Sequence, residues 1–319
     1  VAGTAMLVPF TFGMNPTTAI IMLAGIYYGA MYGGSTTSIL VNLPGESSSV
    51  MTCLDGYQMG QKGRAGAALG IAAFGSFIAG TLSVIGLMLL APPLAEFVIR
   101  FGPPEYFALM ALGMTLVISL VGESMVKGLI SGAFGILLGT VGMDPTSGIE
   151  RFSYGIPTLL DGLSFVSVSV GLFAISEVLA MSESSSQPPT YIDKISNLLP
   201  NKEDWKQAIF PILRGSAIGF VACSMPGAGA TVASMLAYAA EKKISKHPEK
   251  FGTGIIEGVA APESANNAAT GGAMIPLLVL GVPGSGTAAV MMGALLIHGM
   301  RPGPLLFEKH PDFFWAVTA

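Results

Sequence analysis

Gly33-Gly34-Ser35-Thr36-Thr37-Ser38-Ile39-Leu40-Val41-Asn42-Leu43-Pro44-Gly45-Glu46-Ser47-Ser48-Ser49 contains an apolar arm with a hydroxyl-rich start, a Pro-Gly stop and a serine cluster. Proline has no amide hydrogen and its ring clashes with the preceding turn, so a helix does not pass through Pro44 unbroken. The same plan recurs late in the chain. Gly271-Gly272 precede a second apolar arm, which stops at Pro283-Gly284 and is followed by Ser285-Gly286-Thr287. The two arms differ in length by one residue. A third break, Pro226-Gly227-Ala228-Gly229, interrupts the uncharged run from Gly215 to Ala240.

The rest of the chain explains where such breaks sit. Of its 319 residues, 11% are charged and 51% hydrophobic, and mean hydropathy is +0.66. A soluble domain carries about 25% charged residues, so the composition points to lipid as part of the solvent. A membrane span needs about 20 apolar residues. Ala65 to Ala95 is uncharged, and Thr17–Met31, Tyr106–Gly122, Gly128–Met143 and Gly162–Ser176 are shorter candidate spans. Gly25, Gly29 and Gly33 fall on one helix face, which predicts close contact with a neighbouring helix. A further crossing is expected near Gly254–Thr270, although Glu257 and Glu263 lie in it. Met181 to Lys206 is polar and reads as a solvent-exposed linker. The expected organisation is a first membrane repeat over residues 1–181, a cytoplasmic linker over 182–206 and a second repeat over 207–319. The chain begins at Val1 and stops in an apolar run, so it is expected to be a fragment lacking elements at both ends.

Lys62, Arg64, Lys127, Lys194, Lys202 and Lys206 fall on one side of the expected spans, and Arg100 and Arg151 on the other. The positive-inside rule makes the first side cytoplasmic. The Pro44 and Pro283 elbows then enter from opposite sides. The fold class expected is all-α: a polytopic membrane protein with discontinuous helices or re-entrant hairpins arranged as two inverted repeats, an architecture of secondary transporters.

Irregular backbone at membrane depth is tolerated where it is buried in protein or lines a cavity. The breaks are therefore the expected site. A helix restarted after a break presents free N–H groups, which favour anions. The substrate-binding candidates are Ser35, Thr36, Thr37, Ser38, Asn42, Pro44, Gly45, Ser47, Gly227, Gly229, Asn266, Asn267, Pro283, Gly284, Ser285 and Thr287. Glu46 and Glu263 are the candidates for ion coupling, because intramembrane carboxylates are commonly functional. No cofactor is expected beyond Na⁺ or H⁺ as coupling ion. Cys53 and Cys223 lack metal-ligand or CxxC spacing and read as small buried hydrophobes. The net charge of −4 comes without a basic face for nucleic acid. Enzyme motifs are missing: no G-x-S-x-G, Walker loop, HExxH or GxGxxG occurs, and His247, His298 and His310 have no placed nucleophile. A channel, or an intramembrane hydrolase built on Ser35 or Ser47, is the alternative to a transporter.

These motifs, in order, resemble a known family. Gly29-Ala30-Met31-Tyr32-Gly33-Gly34 through Pro44-Gly45-Glu46, Asp55-Gly56-Tyr57, Lys62-Gly63-Arg64-Ala65-Gly66, Pro226-Gly227-Ala228-Gly229-Ala230, Ala261-Pro262-Glu263-Ser264-Ala265-Asn266-Asn267-Ala268 and Leu280-Gly281-Val282-Pro283-Gly284 are similar to the large membrane subunit of the tripartite tricarboxylate transporters, the TctA type. The resemblance covers essentially the whole chain. It implies a multi-pass permease of the bacterial inner (cytoplasmic) membrane, working with a small membrane subunit and a periplasmic solute-binding protein. It further implies cation-driven import of citrate or other small di- or tricarboxylates. The family pattern also implies a Pro-Gly loop like that at Pro226 ahead of Val1.

Overall fold

The computed structural model describes residues 1–102, 104–105, 107–108, 110–112, 115, 124–144, 149–163, 167–168, 170–183, 195, 198–225 and 229–318. It is helical, apart from a two-residue antiparallel ladder of β1 (Gly142–Met143) with β2 (Glu150–Arg151). The helices are α1 (Ala2–Leu7), α2 (Pro16–Val41), α3 (Ala65–Val98), α4 (Met125–Gly139), α5 (Ser176–Glu183), α6 (Lys202–Ser224), α7 (Gly229–Ile244), α8 (Glu257–Ile275), α9 (Gly286–Ile297), α10 (Leu305–Lys309) and α11 (Pro311–Thr318). Between α2 and α3 run short 3₁₀ and π turns from Ser47 to Arg64, kinked at Gly63 where φ is +75°.

Two helices among the described residues are both long and apolar enough to cross a membrane, Gly60–Val98 and α6. The expected Thr17–Met31 span lies within α2, and Gly128–Met143 overlaps the 15-residue α4. Most of Tyr106–Gly122 lies outside the described residues.

The centre of the protein is α8, which takes in most of the crossing expected near Gly254–Thr270. Every residue of α8 from Gly258 to Ile275 is buried, so this helix is sheathed by protein. It packs most extensively on α6, then on α3 and α7. Small residues permit this. A Cβ on Gly215 would lie 2.3 Å from the Ala261 carbonyl oxygen, one on Gly219 2.1 Å from that of Ala265, and one on Gly272 2.4 Å from that of Phe220. Without lipid–water contrast between helices, such close backbone contact is a main source of association. The predicted Gly25, Gly29 and Gly33 seam is a correction. Among the described residues no atom comes within 4 Å of a Cβ built at any of the three, and all are exposed. Those glycines face away from the helices that α2 touches.

The two sequence halves interlock at Asp55, a fully buried carboxylate. It accepts from Tyr238 Oη (2.8 Å) and from the backbone N–H groups of Gly252 (3.0 Å), Gly254 (2.7 Å) and Ile255 (3.0 Å). A buried carboxylate persists only when its lone pairs are filled in this way. Asp55 thus ties the turns after α2 to the loop that leads into α8.

Candidate functional site

The elbows have the same backbone course. The first arm, α2, ends at Asn42 in the left-handed region (φ 56°), and the second ends at Gly281 (φ 68°). Asn is among the few non-Gly residues that tolerate this conformation. Each elbow is closed by an amide reaching six residues back: Leu43 N–H to Thr37 O at 3.4 Å and Val282 N–H to Pro276 O at 3.0 Å. Pro44-Gly45 and Pro283-Gly284 follow. Then come two extended N-cap residues, Glu46 (φ −151°, ψ 164°) and Ser285 (φ −152°, ψ 166°). The second arm has one residue more, and a π turn at Pro276–Leu280 takes it up, since such a turn spends an extra residue per turn.

Three chain breaks meet in one cavity of about 510 Å³. The first elbow contributes Glu46 and Ser47, and the second contributes Pro283 through Thr287. The start of α7 contributes Gly229, Ala230 and Thr231, with Tyr27 and Met31 of α2 on the wall. Ser47 Oγ and Thr231 Oγ1 are 2.9 Å apart, and Tyr27 Oη lies 3.5 Å from Ser285 Oγ. Ser285 caps α9 by accepting from Ala288 N–H at 3.2 Å. The first-turn N–H groups of α7 and α9 have no partner within their own helices. Glu46 is the one charged side chain among the described lining residues, and no Lys, Arg or His is present. Its carboxylate accepts from Ser48 N–H at 3.3 Å and from Ser48 Oγ. The cavity can therefore cradle a carboxylate with amide and hydroxyl donors, and Glu46 can face a cation held beside it.

The remaining expected residues fall into two other groups. Glu263 is fully buried in α8. Its carboxylate accepts from Ser35 Oγ and Thr52 Oγ1, and from Asn266 Nδ2 at 3.5 Å. Asn267 Nδ2 donates to Ser76 Oγ (2.7 Å), Asn266 Oδ1 (2.6 Å) and Glu263 O (3.0 Å). Ser35, Asn266 and Asn267 thus surround Glu263 rather than the elbow cavity. Asn267 and Ser76 reach instead a separate groove between α2 and α3. The second group builds the first elbow. Ser38 Oγ reaches Gly34 O and Ser49 Oγ (both 3.0 Å), and Thr37 Oγ1 donates to Gly34 O at 3.0 Å. Gly45 N–H also bonds Gly34 O, at 3.3 Å. A Cβ on Gly45 would sit 2.6 Å from Gly34 Cα, so only glycine fits there. Thr36 is half-buried, whereas Asn42 and Pro44 are exposed at the elbow. Gly227 lies outside the described residues.

Tyr27, Thr52, Asp55, Ser76 and Thr231 were not singled out by the sequence reading, apart from Asp55 as part of a motif. Tyr27, Thr52 and Ser76 are single polar residues with no local signal, and the roles of all five depend on what the fold places opposite them.

The family model described as "Tripartite tricarboxylate transporter TctA family" matches residues 1–319. An Agrobacterium vitis protein described as "Uncharacterized 52.8 kDa protein in TAR-I ttuC' 3'region" is 49% identical over 318 residues, which is 100% of this chain and 63% of that protein. A second Agrobacterium vitis protein, "Uncharacterized protein in TAR-II ttuC' 3'region", is 46% identical over 105 residues, 33% of this chain and 42% of its own. The chain therefore spans less than two thirds of the length of these relatives. No solved structure matches.

Proposed function

Because the chain belongs to the tripartite tricarboxylate transporter TctA family, we propose that it carries the permeation site for secondary active, cation-coupled uptake of small di- or tricarboxylates. The observation that carries this reading is the meeting of three helix breaks in one cavity whose donors are amides and hydroxyls. On this reading, carboxylate oxygens accept from the N–H groups of Gly286 and Thr287 and of Gly229 and Ala230 at the start of α7. The hydroxyls of Ser47, Thr231 and Ser285 orient the substrate. Such donors hold an anion without a fixed cationic side chain, which eases its release.

The same lining supports coupling. A carboxylate substrate beside Glu46, with no Lys, Arg or His among the described lining residues to offset either charge, is stable only with a cation or proton in attendance. Glu263, among Ser35, Thr52 and Asn266, offers oxygen ligands suited to Na⁺ or a place for a proton. The matching backbone of the two elbows supports the inverted-repeat reading. The companions on this proposal are a small membrane subunit and a periplasmic solute-binding protein, with the inner membrane as location.

The test uses the full-length protein with its companion subunits in proteoliposomes, supplied with labelled citrate and other carboxylates. Uptake should follow an imposed Na⁺ or H⁺ gradient, stop when that gradient is collapsed, and deliver the substrate unchanged. Uptake that continues down its own concentration gradient at the same rate without the coupling cation would establish a channel.

A further inference from the structure

A second polar cavity, of about 600 Å³, lies away from the elbows, between the Lys202 end of α6 and the Ile244 end of α7. Lys206, Lys246 and Lys250 line it, and all three are exposed. Arg214 also lines it but is committed to Glu241, with Nε–H and Nη2–H donating at 2.9 and 2.6 Å. Glu203 accepts from Gln207 at 3.1 Å, and the His247 ring sits 3.4 Å from Glu249. Glu257 differs from these. It lines the same cavity, and its Oε2 is buried with no hydrogen-bond partner among the described residues. An unsatisfied buried carboxylate oxygen is costly, so the site calls for a cationic donor. It offers ammonium groups to an anion at the same time.

The position of the cavity along α6 narrows the ligand. The first helical residues, Lys202-Glu203-Asp204-Trp205-Lys206, are polar, and a largely apolar run follows. That change marks headgroup depth, where Trp is enriched. At the cavity's edge Phe210 and Ile244 are 63% and 58% exposed, beside the lysines. Basic pockets between helix ends at this level suit lipid phosphates.

We propose that this cavity binds the headgroup of a phospholipid carrying both a phosphate and a primary ammonium, a phosphoethanolamine type. The phosphate sits among Lys206, Lys246 and Lys250, the ammonium donates to Glu257, and the acyl chains run along Phe210 and Ile244. A trimethylated ammonium has no N–H to give, so a phosphocholine headgroup satisfies the lysines and leaves Glu257 unpartnered.

The experiment is lipid binding to delipidated full-length protein in detergent, read by native mass spectrometry with matched-chain phosphatidylethanolamine and phosphatidylcholine. The ethanolamine lipid should bind about tenfold tighter or more, the scale of one charge-assisted hydrogen bond. Glu257→Gln should shrink that preference to within about twofold, since the lost pairing is its source. Lys246→Gln with Lys250→Gln, at exposed positions that leave the fold intact, should weaken both lipids by about tenfold and keep the preference. Equal binding of the two lipids by the wild type, an unchanged preference in Glu257→Gln, or wild-type binding by the double lysine variant each overturns the proposal. Soluble phosphoethanolamine should fail to displace the lipid at equal concentration. Displacement with equal potency would assign the site to a free phosphate compound and remove the lipid.

Discussion

Gly219→Ala adds one methyl group at the tightest point of the α6–α8 seam. The new Cβ would sit 2.1 Å from the Ala265 carbonyl oxygen and 2.7 Å from both its carbonyl carbon and its Cα. Ordinary contact begins at about 3.4 Å, so the two helices have to separate by about 1.3 Å. The obstacle is backbone, which has no rotamer to turn away. Overpacking of this kind costs about 1–3 kcal/mol, and the better helix propensity of Ala returns at most about 1 kcal/mol. With that return subtracted in full the net destabilisation is up to about 2 kcal/mol, deepened when Gly215→Ala, 2.3 Å from the Ala261 oxygen, is added. Function should suffer more than stability. α8 carries Glu263, Asn266 and Asn267, and the ångström-scale shift breaks their contacts with Ser35 and Ser76. The assay is thermal unfolding of the full-length protein in detergent, paired with gradient-driven carboxylate uptake. Gly25→Ala is the control, because nothing lies within 4 Å of its Cβ position. It should be neutral or stabilising by up to about 1 kcal/mol. A Gly219→Ala protein with wild-type melting and uptake would refute the claim that backbone contact sets the position of α8.

Asp55→Asn should loosen the loop before α8, because an amide cannot accept from Tyr238 and the three loop amides together. The expected loss is about 3 kcal/mol, against about 1 kcal/mol for Tyr238→Phe, read by denaturation and by faster proteolysis near Gly252. Arg214→Gln leaves Glu241 buried without its bidentate partner. Arg214 is itself partly exposed, so the cost should be about 1–3 kcal/mol rather than the full penalty of a buried pair, measured by the same melts. Glu263→Gln should fold, since the hydroxyls of Ser35 and Thr52 can turn to meet an amide. It should lose gradient-driven uptake while keeping substrate exchange across the membrane. Unimpaired accumulation would remove Glu263 from coupling.

The elbows were legible from the sequence because proline and glycine act locally. The stops at Pro44 and Pro283, and the hydroxyls behind them, follow from missing amides and permitted conformations at those residues. Even the one-residue difference between the arms has a local outlet in the π turn at Pro276–Leu280. What depends on the opposing surface was not legible. The stretch around Glu263 carries carboxylates and amides and reads as a poor crossing, yet it is the most deeply buried helix, because α3, α6 and α7 supply both its sheath and its partners. The glycines at 25, 29 and 33 have the spacing of a packing seam, while the operative seam is Gly215 and Gly219 against Ala261 and Ala265. Spacing identifies a face able to approach closely and is silent on what approaches. For the same reason Asn266 and Asn267, grouped with the elbow residues by their polarity, belong with Glu263 instead, and Thr231, two residues past the third break, joins the elbow cavity through its contact with Ser47.

The central claim is that bare helix amides at the elbows hold the substrate carboxylate, and Gly286→Pro tests it by removing one N–H. Gly286 is the first residue of α9 and lines the cavity. Proline is well tolerated at a first helical position, and the extended Ser285 before it (φ −152°, ψ 166°) already has the kind of backbone that precedes proline. The substitution therefore deletes the Gly286 N–H and keeps the helix and its Ser285 cap. Loss of one hydrogen bond to a charged group, about 1.5–3 kcal/mol, predicts that half-saturating carboxylate rises by about tenfold to a hundredfold, with Gly286→Ala close to wild type. A folded Gly286→Pro protein that takes up carboxylate at wild-type concentrations would contradict the account.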